Sequence, residues 1–261
     1  VPGKSLNISL IQSHLEWENQ EKNLAHFETM LPKRNSSHWV VLPETFATGF
    51  ALKSESAECS EQVLNWMKIQ ASERNCIISG SVLVATTSGK LENRFYFVFP
   101  NGNCNWYAKR HAFSLAGEQH IVQGGTERTC IAVEGWEIAP QVCYDLRFPV
   151  WSRYSPNYAY HILVYTANWP AIRAQAWNRL LVARAIENQC YVLGVNRIGS
   201  DGNGIEHQGD TQAIGFNGNV IVQAPTNTET CLNVTLDLEP LLSFRKQFPF
   251  LEDADNFSLN L

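Results

Sequence analysis

Glu44, Lys109 and Cys143 are the residues from which chemistry can be built, because each stands directly at the end of an apolar run. Trp39-Val40-Val41-Leu42-Pro43 precedes Glu44, Trp106-Tyr107-Ala108 precedes Lys109, and Ile138 to Val142 precedes Cys143. Short apolar runs bounded by polar residues read as buried strands. A rigid strand fixes the backbone of a group that the following loop exposes. A free thiol has a pKa of about 8.5, so only a few per cent is thiolate at neutral pH and an adjacent base or cation must raise that fraction. A carboxylate can take the thiol proton and later deliver it to a leaving amine, which contributes roughly 10²–10⁴ in rate. A lysine ammonium can face the oxyanion that forms on a carbonyl under attack, and one such donor contributes about 3 kcal/mol. Nucleophile, base and oxyanion donor together make an acyl-transfer site. Each residue alone also has an ordinary reading. Glu44 can open a helix at its favourable end, Lys109 can be a surface lysine beside Arg110, and Cys143 can be an inert buried thiol.

Other catalytic designs fit less well. A cysteine–histidine hydrolase would draw on His111 or His120, and neither sits in a recognisable cysteine-protease context; His111 reads equally as a structural hydrogen-bonder. Gly-x-Ser-x-Gly is absent, as is Gly-x-Gly-x-x-Gly, and neither Gly124-Gly125 nor Asp201-Gly202-Asn203-Gly204 fits a phosphate loop. No His/Asp/Glu cluster has metal-ligand spacing.

These residues need a folded scaffold, and the composition allows one. The 261 residues are 44% hydrophobic and 17% charged, which suits one or two globular domains rather than a disordered chain. A net charge of −5 with no basic block argues against nucleic acid or an anionic membrane as partner. No apolar run reaches the roughly 18 residues of a membrane span. Seven cysteines (Cys59, Cys76, Cys104, Cys130, Cys143, Cys190 and Cys231) form an odd, dispersed set without a CxxC pair. With no secretory pattern ahead of the first strand-like stretch, they are expected as reduced thiols of a cytoplasmic protein.

The pattern along the chain alternates strands and helices. Residues 6–12, 39–43, 76–86, 94–99, 138–142, 161–166, 190–195 and 232–236 read as strands, and 17–32 as a helix. Ser60, with Glu61 and Gln62 after it, reads as the cap of a second helix. A third helix is expected from about Pro170 to Asn188, with Ala174, Trp177, Leu181 and Ala185 as its buried stripe. Polar turns are expected at Ser88-Gly89 and Asn217-Gly218, the latter within a hairpin from Thr211 to Val222. A short helix and an aromatic tail to Leu261 close the chain. No linker or low-complexity run divides it, so residues 1–261 are expected as one layered α/β domain, with a similar strand–helix order in its two halves.

Three stretches carry a family resemblance. Leu42-Pro43-Glu44-Thr45-Phe46, Tyr107-Ala108-Lys109-Arg110-His111-Ala112-Phe113 and Val142-Cys143-Tyr144-Asp145-Leu146-Arg147-Phe148-Pro149 resemble the signature stretches of the nitrilase (carbon–nitrogen hydrolase) superfamily, in its order and separations. Ala167-Asn168-Trp169-Pro170, residues 183–189 and Gly209-Asp210-Thr211 match later landmarks, so the resemblance covers essentially the whole chain. It implies a four-layer αββα sandwich, a Glu44–Lys109–Cys143 site, and homodimers formed through the outer helical layer. It also implies that Glu118 is a second glutamate of the site, holding Lys109 and the substrate, where it would otherwise read as a solvated loop acid. The implied site needs no metal or organic cofactor.

Within the superfamily, Cys143-Tyr144-Asp145-Leu146-Arg147-Phe148-Pro149 followed by Val150-Trp151-Ser152-Arg153 most resembles the omega-amidases of the bacterial YafV type. That resemblance implies hydrolysis of the terminal amide of 2-oxoglutaramate and related 2-oxo acid amides. Nitrilases usually carry Trp-Glu after the cysteine. Val150 stands where many relatives have Glu, which weakens the resemblance to the amidases that act on deaminated glutathione, although these share much of the motif. That amidase activity, an N-carbamoyl hydrolase, and a non-catalytic binding protein on the same fold are the alternatives. Lys109 and the backbone N–H of Tyr144 are expected to hold the oxyanion. For the substrate carboxylate, Arg173 comes first, because arginine binds carboxylates bidentately and a helix N-terminus favours an anion. Arg147 is second, with a partnership to Asp145 as its structural alternative. Phe46 and Trp169 are expected as pocket walls or as core.

Overall fold

The computed structural model describes residues 4–87 and 89–259. The turn expected at Ser88-Gly89 and the end of the aromatic tail at Leu261 therefore fall partly outside the described residues. The first half contains β1 (Ser5–Gln12), α1 (Gln20–Met30), β2 (Trp39–Val41), α2 (Ser54–Glu58), α3 (Ser60–Arg74), β3 (Ile77–Ala85), β4 (Leu91–Val98) and β5 (Cys104–Ala108). The second contains β6 (Ile131–Val133), β7 (Trp136–Val142), α4 (Pro149–Ser152), β8 (Ile162–Ala167), α5 (Ala174–Asn188) and β9 (Tyr191–Asn196). After these come β10 (Ile198–Ser200), β11 (Glu206–Gln208), β12 (Gln212–Ile214), β13 (Val220–Gln223), β14 (Thr230–Asp237) and α6 (Leu238–Gln247).

Period-two alternation explains the layering, since successive strand residues face opposite sides of a sheet. Leu6, Ile8 and Leu10 of β1 and Trp39 and Val41 of β2 enter the core between the two sheets. Val40 and Leu42 face the other way, onto α1 and α3 through Phe27, Val63 and Met67. On the second sheet Ile162 and Val164 of β8 enter the central core, whereas Leu163 and Tyr165 pack under Trp177 and Leu181 of α5. Both faces of both sheets are thus buried, and the result is the expected four-layer αββα sandwich.

The two sheets are built alike. One runs β14-β1-β2-β3-β4-β5 and the other β6-β7-β8-β9-β12-β13. In each, the successive pairings are antiparallel, parallel, parallel, antiparallel and antiparallel. The similar order expected of the two halves is present at this level. By this correspondence β2 matches β8, so Glu44 after the one and Asn168 after the other occupy equivalent corners.

Two helix boundaries differ from expectation. Ser60 does not cap its helix: it is the first residue of α3, Cys59 precedes it, and no side-chain bond caps that end. The short α2 directly before it leaves no extended residue in the capping position. The helix expected from Pro170 begins instead as a 3-10 turn at Ala171–Arg173, and α5 proper starts at Ala174, which is only partly buried.

Gly194 lets β9 approach α5. A Cβ there would meet Leu181 Cδ1 at 2.5 Å and Trp177 Cζ2 at 2.8 Å. Gly194→Ala is expected to destabilise the protein by about 1–3 kcal/mol, as overpacking does. A lowered urea midpoint is the readout, and an unchanged midpoint would contradict this account of the packing.

Candidate active site

The site forms where ends of the two sheets meet. Glu44 lies just past β2 in a turn whose Thr45 has φ 44°. The turn is pinned by the Thr45 N–H donating to Ser81 Oγ at 2.8 Å. Lys109 follows β5 directly, and its N–H donates to the Asn93 carbonyl at 2.9 Å. Cys143 follows β7 and opens a 3-10 turn with its own φ at 44°. Positive φ at non-glycine residues costs about 1–3 kcal/mol and persists where surrounding structure enforces it.

Asp145 supplies that enforcement at the cysteine. Its Oδ2 accepts from the Val142 N–H at 3.0 Å and the Tyr107 hydroxyl at 2.8 Å. Its Oδ1 accepts from the His111 N–H at 2.9 Å and lies 2.8 Å from His111 Nδ1. One buried carboxylate therefore joins the lysine-bearing segment to the cysteine-bearing turn. His111 is the structural partner that one sequence reading allowed. The alternative partnership of Asp145 with Arg147 is not formed.

The charged centre is compact. Lys109 Nζ lies 2.9 Å from Glu44 Oε1, and 3.0 and 2.9 Å from Glu118 Oε1 and Oε2. Lys109 is 1% exposed and both glutamates are 0% exposed. Glu118 is thus no solvated loop acid. The Phe113 N–H also donates to its Oε2 at 2.5 Å. Glu44 Oε2 receives the Asn168 N–H at 2.8 Å, and Asn93 Nδ2 donates to Oε1 at 2.9 Å.

Glu44, Lys109, Cys143 and Tyr144 line a cavity of about 80 Å³ together with Trp169, Arg147 and Arg173. The guanidinium of Arg147 lies 5.0 Å from the Trp169 ring centre, and that of Arg173 lies 5.3 Å from that of Phe113. Among the described residues neither arginine has a carboxylate partner. Phe46 is not a pocket wall. It is 0% exposed and packs with Phe27 and Trp66 beneath the first sheet, because it points to the α1–α3 face. Sequence reading missed Phe50 and Phe113 as walls, and Asn93 and Asn168 as partners of Glu44. Asn168 carried the strand-end signal that marked the other three residues. Asn93, in a polar stretch of β4, carried none.

Electrostatics sets the resting protonation. Burial alone would push the Lys109 ammonium toward neutrality, but Glu118 and then Glu44 outweigh it and hold its pKa above the ordinary value. Burial raises the Glu118 carboxyl above its usual range, opposed by Lys109. Burial first and Glu44 second raise the Cys143 thiol well above its ordinary pKa, with Lys109 pulling the other way. The Cys143 thiol therefore rests in its neutral form. Burial also raises Cys76 to about 11 and Cys190 to about 12. What distinguishes Cys143 is its neighbours. Ultraviolet thiolate absorbance of the wild type and of Cys143→Ala is expected to coincide at neutral pH, because a raised pKa leaves the thiol protonated there. An excess thiolate band in the wild type would refute this resting state.

Comparison with known proteins agrees with the fold and the signature stretches. The sequence profile described as carbon-nitrogen hydrolase matches residues 7–246. Omega-amidase YafV of Escherichia coli (strain K12) is 43% identical over 260 residues, covering 99% of this chain and 100% of that protein. The 2-oxoglutaramate amidase of Bacillus subtilis (strain 168) is 29% identical over 252 residues, covering 94% of this chain and 96% of that protein. Among solved structures, XC1258 from Xanthomonas campestris superposes with a TM-score of 0.93 at 36% identity, covering 98% of this chain and 100% of its own. It is described as a CN-hydrolase superfamily protein with an arsenic adduct in the active site. With that family match spanning nearly its whole length and this architecture, the chain belongs to the carbon–nitrogen hydrolase family.

Proposed function

We propose that this chain is an omega-amidase that hydrolyses the terminal amide of 2-oxoglutaramate and related 2-oxo acid amides to the acid and ammonia. The observation that carries this reading is the buried Glu44–Lys109–Glu118 cluster against Cys143, in a small cavity bearing two arginines without carboxylate partners among the described residues. Full-length similarity to proteins named omega-amidase and 2-oxoglutaramate amidase supports it.

In the proposed mechanism Glu44 takes the proton from Cys143 as the sulfur attacks the amide carbon. Lys109 Nζ and the Tyr144 N–H hold the oxyanion. Glu44 then passes its proton to the departing nitrogen, ammonia leaves, and a thioester remains. Water, deprotonated by Glu44, attacks the thioester; the acid leaves and the thiol regains its proton. Glu118 keeps Lys109 charged and in place throughout. Arg173 binds the substrate carboxylate, with Arg147 as second cation and Trp169 as a wall.

Ammonia release measured over a panel of amides tests the reading. 2-Oxoglutaramate is expected to exceed deaminated glutathione and N-carbamoyl amino acids in kcat/KM; the reverse order would reassign the substrate. Cys143→Ala is expected to abolish turnover, Glu44→Gln to reduce kcat by about 10²–10⁴, and Lys109→Ala by about 10²–10³. Full turnover in any of the three removes that residue from its role. Arg173→Ala is expected to raise KM for 2-oxoglutaramate about tenfold or more while leaving an uncharged short amide unaffected, as loss of a charged hydrogen-bond partner does.

We also infer a cytoplasmic homodimer. The seven unpaired cysteines suit a reducing compartment. On the outer layer Ile186 of α5 is 54% exposed, an apolar side chain suited to a helical dimer face. Ile186→Glu is expected to shift the species seen by light scattering from dimer toward monomer. A wild-type monomer at assay concentration would overturn the dimer.

A further inference from the structure

The carboxylate of Glu44 is gripped from both sheets at once. From the second sheet, the Asn168 N–H donates to Oε2 at 2.8 Å, and Asn168 Nδ2 donates to the Glu44 carbonyl at 2.8 Å. From the first, Asn93 Nδ2 donates to Oε1 at 2.9 Å, beside Lys109 Nζ on the same oxygen. Asn93 is 0% exposed and belongs to β4. Its backbone carbonyl accepts the N–H of Lys109. One residue thus fixes the side chain of Glu44 and the backbone of Lys109 together.

We propose that Asn93 is a positioning residue that sets the orientation of Glu44 for proton transfer with Cys143. The proposal rests on the reading of Glu44 as the catalytic base. Asn93 does not line the cavity, so it acts on substrate only through Glu44 and Lys109. Its amide orientation is dictated by its neighbour: with the oxygen turned to Glu44, carbonyl would face carboxylate. In the observed orientation Oδ1 is buried without a hydrogen-bond partner among the described residues. A fully buried amide that satisfies its donor on Glu44 and leaves its acceptor unmet is a costly feature for a strand to carry for packing alone.

Charge explains why an amide is needed. Lys109 divides its ammonium between Glu44 and both oxygens of Glu118. Cations strong enough to immobilise Glu44 unaided would also bias it against accepting a proton. Asn93 supplies a directional bond with no net charge. It locks Oε1, while Asn168 locks Oε2, so the carboxyl plane is held from two sides.

The test compares Asn93→Ala, Asn93→Asp and Glu44→Gln in the full-length enzyme, with melting curves confirming that each is folded. Asn93→Asp keeps the side-chain volume and serves where the truncated variant is too unstable to assay. In both Asn93 variants kcat for 2-oxoglutaramate is expected to fall about 10- to 100-fold, the scale of misplaced catalytic groups, with KM nearly unchanged. Folded Asn93 variants with wild-type kcat, or with the loss confined to a raised KM, overturn the proposal while Glu44→Gln remains inactive. Full turnover by Glu44→Gln would instead overturn the reading of Glu44 itself.

Discussion

A lysine ammonium withdrawn from water is the constraint on which the rest of this structure depends. Lys109 is 1% exposed, and an isolated ammonium in such a place would lose its proton rather than its hydration. It stays charged because Glu118 binds it through two oxygens and Glu44 through one. Removing one partner of a buried pair typically costs about 3–5 kcal/mol, so the three groups stand or fall together. Burial first, and Glu44 after it, hold the Cys143 thiol protonated, with Lys109 pulling the other way.

Bringing those groups together is the task of the sandwich. Glu44 and Lys109 hang from the first sheet and Cys143 from the second, so their separations are set by how the two sheets pack. The shared pairing order of the sheets puts corresponding corners opposite one another. Glu44 after β2 and Asn168 after β8 meet there through three hydrogen bonds of 3.4 Å or less between the two residues. The large apolar core between the sheets, with Trp39 and Trp136 wholly buried in it, makes that spacing stiff.

Strain is stored at both turns that carry Glu44 and Cys143. Thr45 and Cys143 each hold φ at 44°, in the region that favours glycine. Each turn is tied down by a neighbouring hydrogen bond, to Ser81 in one case and through Asp145 in the other. Asp145 also reaches Tyr107 and His111, so the turn of Cys143 and the strand of Lys109 cannot shift independently.

Much of this was legible in the chain itself. Apolar runs ending at Glu44, Lys109 and Cys143 marked both the strands and the groups that meet at the cavity, because period-two burial and strand-end exposure are local properties. The layered α/β class followed from the alternation of strands and helices. The resemblance of three stretches pointed to Glu118, which no local pattern marked. Other features depend on contacts between residues far apart in sequence, and only the tertiary structure decided them. Phe46 was assigned to the core because the face it occupies depends on where α1 and α3 pack. Asp145 was taken from Arg147 by Tyr107 and His111, which arrive from another strand. Asn93 and Asn168 became partners of Glu44 because two sheets close on one corner. The sequence by itself determined which groups were available and where each strand would release them; the packing of the sheets determined which groups touch, and so how Glu44 is held.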